Sequence, residues 1–397
     1  MADTSAPAAR ARLAELAMAI GGFGIGTGEF VIMGLLPDIA HGVGVSETRV
    51  GHAISSYALG VVIGAPVIAT LAARWSRKRL LVALMAMFAL GNLASAMAPD
   101  YLSLVAFRFL AGLPHGAYFG VSSLVAASLA PPGQRARAVG RMMLGLTVAT
   151  LAGVPLASWL GQHAGWPAAF VFVGAVGLLA CAMILACVPY RPGDAQAHPL
   201  RELDALRTPQ VLLTLLVGAV GFGGMFAVFS YIAPTLTAVA GLPASGVPWA
   251  MAAFGVGMIL GNLGGAWLAD RHLMRSIAAM LVWGIVVMAA FPLLARHVPS
   301  AMLGVMLVGT AGALVAGLQI RLMDVAGQAQ TLAAALNHSA LNIANALGAW
   351  LGGMAIDAGF GWTSTAGVGV VLGIAGLAVF LLSWHLQLRR PAAGAVA

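Results

Sequence analysis

Long apolar runs separated by short polar segments dominate the chain. Each run is about 20 residues long, which is what an α-helix needs to cross the hydrocarbon core of a bilayer. A polar stretch at 189–208 separates six runs from six. The pattern predicts twelve spans in two six-helix halves, 1–188 and 209–397, with 189–208 as a central loop. The predicted spans are 13–36, 50–72, 80–98, 102–128, 139–161, 168–188, 209–237, 246–268, 274–294, 300–320, 331–355 and 364–386.

Composition supports a chain whose solvent is mostly lipid. Hydrophobic residues make up 61% of it and charged residues only 8%, against about 25% charged residues in a soluble domain. Arg10 and Arg12 precede the first run, as basic residues do in a signal peptide. That run continues from Leu13 to Leu36, however, which is longer than the roughly 7–15 apolar residues of a signal peptide. We therefore expect an uncleaved first span in an all-α integral membrane protein of the inner or plasma membrane.

The basic residues orient the spans. With the N-terminus in the cytoplasm, every Lys and Arg except Arg49, Arg108 and Arg296 falls in a cytoplasmic segment, as the positive-inside rule requires. Both termini are then predicted to be cytoplasmic. The net charge of +8 does not indicate a nucleic-acid partner, because the charges lie in short separated loops and not on one soluble face.

The two halves carry similar patterns at an offset of 197 positions (257 minus 60). Gly60 and Gly64 correspond to Gly257 and Gly261, and Arg74 corresponds to Arg271. Parallel repeats of this kind are typical of carriers that hold their substrate near the bilayer midplane, between the halves.

Two charged residues lie deep in predicted spans, and a histidine follows the second. Glu29 is roughly 12 Å from the outer end of the first span and Arg108 roughly 10 Å from the outer end of the fourth, at about 1.5 Å per helical residue. An intramembrane carboxylate is a candidate proton carrier, and a buried guanidinium must find partners. A protonated Glu29 that only bonds a neighbouring helix is the alternative. His115, on the same face as Arg108, is either a second titrating group or a packing residue.

Aromatic residues recur along one side of the seventh span. They are either packing residues or the lining of a cavity for an amphipathic or aromatic ligand. The residues are Phe222, Phe226, Phe229 and Tyr231.

Polar residues on one face of the eleventh span, His338, Asn342 and Asn345, predict hydrogen bonds between helices. The sequence has no phosphate-binding Gly-x4-Gly-Lys-[Ser/Thr] loop and no metal-ligand motif. We therefore predict no cofactor, no catalytic residue and no metal, with a proton gradient as the energy source.

With these features the chain resembles the major facilitator superfamily, and within it the twelve-helix drug:proton antiporters of the arabinose-efflux-permease-like branch. The family's gating loop between the second and third spans matches Ala69–Lys78, although Ala73 stands where the family has Asp. Arg108 and Gly112 match the fourth-span signature, whose Arg is implicated in proton coupling. The remaining matches are Arg74, Arg77, Lys78, Asp270 and Arg271 in the gating loops, and Gly145, Gly153 and Pro155 in the fifth-span antiporter signature.

The resemblance implies a monomeric carrier whose cavity is lined by the first, fourth, seventh and tenth spans. This implies that Glu29, Arg108, His115 and the seventh-span aromatics lie together. The function we predict is proton-coupled export of a small organic molecule, a sugar or a drug, by alternating access. Lipid, substrate and proton are then its partners. An uptake symporter or facilitator on the same fold is the alternative, and a membrane-embedded enzyme or receptor is a more remote one.

Overall fold

The fold is all helical in the residues described by the computed structural model, which are 5–72, 74–131, 134–190, 192, 208–326 and 330–388. Most of the predicted central loop lies outside these residues. Ten helical stretches among the described residues are long and apolar enough to cross a membrane. One of them, 244–294, has 51 residues and contains two predicted spans. The total of twelve crossings stays a prediction.

The first six predicted spans are all single helices or helices with one local break. The helix of the first span ends at Gly34, and a short helix follows because Leu35 leaves the helical geometry two residues before Pro37. The fifth contains a π-helical turn, 149–153, directly before Pro155. The bounds are α1 Ser5–Gly34, α2 Leu36–Val43, α3 Glu47–Leu71, α4 Arg77–Ala96, α5 Tyr101–Leu129, α6 Arg135–Val148, α7 Val154–Ala164 and α8 Trp166–Cys187.

The second half has more breaks. The seventh span is three short helices, interrupted at Phe222 and Tyr231. The eighth and ninth spans are two helical segments that meet at a kink at His272, whose backbone is not helical, and they are labelled together as α12. The bounds are α9 Pro209–Gly221, α10 Gly223–Ser230, α11 Ile232–Ala238, α12 Val247–Leu294, α13 Val298–Thr310, α14 Ala313–Val325, α15 Gln330–Ala355 and α16 Ser364–Leu388.

Glycines let two pairs of helices pack backbone to backbone, in the same way in each half. A side chain at these glycines would meet a carbonyl oxygen of the facing helix, and small residues permit this closeness. Three such contacts between α3 and α5 recur between α12 and α13 at the 197-residue offset. The pairs are Gly60–Phe109 with Gly257–Met306, Gly64–Leu113 with Gly261–Thr310, and Gly112–Tyr57 with Gly309–Phe254.

The two halves meet mainly toward one end of the bundle, which we call the Pro37 end. There the Ser55 hydroxyl donates to the Ala346 carbonyl at 3.0 Å, and the Gln162 amide donates to the Ala244 carbonyl at 2.8 Å. Across the same end, Gly51 lies directly against the Tyr231 hydroxyl. The opposite end, where Arg141 binds Glu15, we call the Arg141 end. The charge distribution predicts that the Pro37 end is outside and the Arg141 end cytoplasmic.

Candidate functional site

Glu29 lies at the contact between the halves, about midway along the bundle. Its side chain is only 6% exposed. Its Oε1 accepts a hydrogen bond from the amide Nδ2 of Asn345 on α15, at 3.3 Å. The predicted interhelical hydrogen bonding of the eleventh span is thus present at Asn345, whereas Asn342 donates to the His338 carbonyl of its own helix at 3.0 Å.

Arg108 is completely buried one helix away, on α5. Its guanidinium lies over the ring of Tyr57, 4.2 Å from the centroid, and 5.5 Å from the ring centroid of Phe170. Among the described residues, none of its three side-chain nitrogens has a hydrogen-bond partner. A buried charge held by aromatic faces alone retains unused donors for another partner.

Glu29 and Arg108 interact electrostatically without direct contact between their charged atoms. Within the described part of the chain, the one ion pair shorter than 4 Å joins Arg141 to Glu15. The carboxylate and the guanidinium are therefore close enough to influence each other and far enough apart for each to accept a further partner.

His115 continues the same face of α5, two helical turns beyond Arg108. Its Nδ1 is 3.1 Å from the hydroxyl of Tyr57, so this tyrosine touches both predicted residues. The His115 ring also contacts Phe119, at 5.3 Å between centroids. Phe119 stacks on His338 of α15, at 5.7 Å between centroids and 7° between planes. A chain of contacts therefore leads from Arg108 to the other half.

The seventh-span aromatics pack on the residue after Glu29. Phe226 and Phe229 lie 6.3 and 5.9 Å from the ring of Phe30, and Phe229 stacks on Phe254 at 3.6 Å. Phe222 contacts Phe226 edge to face at 5.5 Å. All are nearly inaccessible. In this arrangement they close the space between Glu29 and the Pro37 end.

Tyr231, in the second half, also contacts the first half. Its hydroxyl donates to the Ala349 carbonyl of α15 at 2.7 Å and also lies against Gly51 of α3. The residue is fully buried, so it does not line an open cavity in this arrangement.

The fifth-span signature brings α6 and its π-helical turn against α1. A side chain at Gly145 would meet the carbonyl oxygen of Ala19, and one at Gly153 would meet the hydroxyl of Thr27. Pro155 begins the next helical segment. These glycines therefore set the distance between the fifth span and the helix that carries Glu29.

The basic residues of the gating loops make separate contacts and do not form a cluster. Lys78 donates to the carbonyl oxygen of Leu185 at 2.7 Å, near the last turn of α8, where carbonyl groups lack helical partners and attract cations. Arg271 lies over the ring of Trp267, 3.6 Å from its centroid. Asp270, Arg74 and Arg77 are exposed, and the described residues give none of them an ion pair. Lys78 thus links α4 to α8 within the first half.

Comparison with known proteins agrees with this architecture. The profile of the Major Facilitator Superfamily matches residues 18–277. The chain is 42% identical over 368 residues to "Inner membrane transport protein YdhP" of Escherichia coli (strain K12), covering 92% of this chain and 94% of that protein. It is 35% identical to "Putative transporter AraJ" of the same organism, covering 92% and 94%. It is 36% identical to "Chloramphenicol resistance protein" of Streptomyces lividans, covering 82% and 84%.

Solved structures show the same fold. A bacterial homolog to the human lysosomal transporter Spinster, in an inward-facing and unoccupied conformation, superposes with a TM-score of 0.77 at 17% identity, over 97% of this chain and 99% of that one. A D-xylose-proton symporter superposes with a TM-score of 0.71 at 18% identity, over 93% and 96%. The chain belongs to the major facilitator superfamily, and it is a multi-pass transporter of the inner membrane, not an enzyme.

Two features of the site do not stand out in the sequence, namely the role of Tyr57 and the partner of Asn345. Tyr57 is a single polar-tipped aromatic in an apolar span, yet it contacts both Arg108 and His115. The spacing of Asn345 relates it only to its own helix, and its partner Glu29 lies 316 residues away. The close packing of α3 on α5 through Gly112 is the available signal for Tyr57, since the glycine faces the Tyr57 carbonyl.

Proposed function

We propose that the protein exports a small organic molecule in exchange for protons, with Glu29 as the proton carrier. The observation that carries the proposal is the position of this carboxylate. It is buried where two halves that must separate during transport touch each other, and an ionisable group inside a membrane span is costly unless it is used.

Arg108 and His115 support the proposal through their surroundings. Arg108 keeps its charge under all ordinary conditions and has unused donors near Glu29. When Glu29 is ionised, the guanidinium stabilises the carboxylate, and the carboxylate and the unused Arg108 donors can together bind a polar substrate. When Glu29 is protonated, the negative charge of this site is lost and substrate binds it less tightly. Competition between proton and substrate for one site is what converts a carrier into an antiporter.

The aromatic cluster of Phe222, Phe226, Phe229 and Phe30 suits an amphipathic or aromatic substrate. These rings adjoin Glu29, and they would become part of the cavity wall when the halves separate. Export is favoured by the 36% identical chloramphenicol resistance protein, which is named for a drug. Chloramphenicol is therefore the first probe, with D-xylose as a sugar for comparison.

Flux direction in inverted membrane vesicles tests the proposal. The vesicle lumen corresponds to the cell exterior, so an imposed acid-inside gradient should drive radiolabelled probe into the lumen if protons leave in exchange. Vesicles without the protein are the control. Expulsion of the probe from the lumen under the same gradient, or accumulation that ignores the gradient, would contradict proton-driven export.

A further inference from the structure

The hydrogen bond from Asn345 to Glu29 joins the two halves at the candidate proton site. Asn345 is 1% exposed, and its Nδ2 donates to Oε1 of Glu29 at 3.3 Å. Its other polar atom, Oδ1, is buried and has no hydrogen-bond partner among the described residues. Leaving a buried acceptor unpaired is energetically costly. A donor at this position would remove that cost.

Protonated Glu29 is such a donor. A carboxylic acid has one O–H donor and a remaining acceptor, and an amide has the complementary pair. The two groups can therefore form two hydrogen bonds at once, with the acid O–H donating to Oδ1 and Nδ2 donating to the acid carbonyl. An ionised Glu29 has only acceptors and cannot satisfy Oδ1.

We infer that Asn345 is the positioning residue that transmits the protonation of Glu29 to the second half. Protonation completes the acid–amide pair and holds α15 against α1, so that the Pro37 end stays joined. Loss of the proton breaks one of the two bonds and favours separation. This inference rests on the proposed role of Glu29 as proton carrier.

Few titratable groups other than Glu29 could make the separation of the Pro37 end depend on pH. Arg108 from α5 and Tyr57 from α3 are the charged or titratable groups whose electrostatic effect reaches Glu29. Arg108 does not lose its proton under ordinary conditions. His115 acts on Glu29 only through Tyr57, and His338 is separated from His115 by Phe119. From α8 and α10, Phe170 lies near Arg108 and Phe226 packs on Phe30, and neither side chain titrates.

Distance measurements between spin labels test the inference without a substrate. In a Cys181→Ala/Cys187→Ala background, Ala164→Cys and Ser245→Cys place labels on exposed residues of the two halves, beside the Gln162–Ala244 hydrogen bond. Pulsed electron paramagnetic resonance in lipid nanodiscs then reports separation of the Pro37 end in acidic and alkaline buffer. Infrared difference spectra report proton binding separately, through the carboxylic-acid stretch that Glu29→Gln removes.

The variants are Asn345→Leu, Asn345→Asp and, as a matched control one turn away, Asn342→Leu. Asn342 bonds only its own helix, so its variant should show the wild-type shortening of the label distance on acidification. Asn345→Leu should keep the Glu29 infrared band and lose the shortening. Asn345→Asp has nearly the native shape, which guards against misfolding of the leucine variant. It should hold the labels farther apart than wild type in alkaline buffer, because two carboxylates then face each other.

The inference would be overturned if, in Asn345→Leu with the Glu29 infrared band intact, the label distance shortened on acidification as much as in wild type. A wild-type protein whose label distance ignores pH although the band is present would also overturn it. A wild-type protein without the band would overturn the proposed function itself, and the inference with it. The infrared and distance readouts therefore separate the two failures.

Discussion

Polar residues of the first half correspond to apolar residues at the equivalent positions of the second half. At the 197-residue offset, Glu29 corresponds to Phe226, Tyr57 to Phe254, Arg108 to Val305 and His115 to Gly312. The backbone contacts around these positions are nevertheless repeated. One half therefore carries the ionisable groups, and the other supplies aromatic surface and the amide of Asn345.

Glu29→Gln should abolish gradient-driven transport. Glutamine has nearly the same shape and keeps an acceptor for Asn345, but it cannot exchange a proton. Downhill exchange of labelled for unlabelled chloramphenicol, which needs no net proton movement, should survive. Folding should survive as well, because removing a buried acid strands no charge when no ion pair is broken. Glu47→Gln, in the first turn of α3 and away from the site, is the control. Full gradient-driven accumulation in Glu29→Gln vesicles would exclude Glu29 as carrier.

Arg108→Lys should impair transport although the charge is kept. The planar guanidinium stacks on Tyr57 and presents several fixed donors, which a lysine ammonium does not reproduce. Tyr57→Phe keeps the ring below Arg108 and removes only the contact with His115, so it should leave more activity than Tyr57→Leu. Loss of the cation–π contact costs about 0.5–2 kcal/mol. Initial transport rates at matched expression measure both comparisons. Wild-type rates in Arg108→Lys would mean that Arg108 only packs.

The sequence identified the charged residues of the site and the interhelical hydrogen bonding of Asn345, but not Tyr57 or the partner of Asn345. Charges inside apolar spans are rare and costly, so Glu29 and Arg108 stand out without a structure. Tyrosine is common enough in spans that Tyr57 does not, and the polar face of the eleventh span does not show which residue Asn345 bonds. Their roles depend on contacts between residues far apart in the chain, and spacing within one helix cannot reveal these.

At the scale of helices, hydropathy predicted where apolar segments lie better than where helices break. Spans 168–188 and 364–386 match α8 and α16 closely. The seventh span is broken at Phe222 and Tyr231, which was not predicted, whereas the predicted turn between the eighth and ninth spans is present as a kink at His272. Such breaks depend on how neighbouring helices satisfy freed backbone groups, which an apolar run does not encode.

Gly265→Ala should destabilise the protein, whereas Gly264→Ala should not. A methyl group at Gly265 would meet the backbone of Ala313, at 2.7 Å from its Cα, while one at Gly264 would meet no atom within 4 Å. Overpacking against backbone typically costs about 1–3 kcal/mol. Alanine also favours helix over glycine, so Gly264→Ala should be neutral or slightly stabilising. Thermal unfolding in detergent compares these adjacent substitutions, and equal midpoints would contradict the close approach of α12 to α14.

At the scale of the whole molecule, the hydrogen bonds that cross between the halves in the described chain lie midway or toward the Pro37 end. Separation of that end would break few bonds, since Ser55, Gln162 and Glu29 supply them. Within each half, glycine contacts also hold several helices together backbone to backbone, and a contact of the same kind, Gly255 against the Thr150 carbonyl, crosses between the halves. The halves are therefore built to move as units against each other.

The solitary position of Glu29 has an energetic consequence. The other buried acid in the described residues, Glu15, is held by Arg141 at 2.6 Å, so one proton per cycle is expected. Exchange of one proton for a neutral molecule moves one charge, and the membrane potential then contributes about 2.3 kcal/mol per 100 mV. That amounts to roughly a fifty-fold concentration ratio, since about 1.4 kcal/mol is tenfold. Exchange for a monovalent cation moves no net charge. A valinomycin-imposed potassium potential should accordingly drive transport of chloramphenicol and leave that of a cationic substrate unchanged.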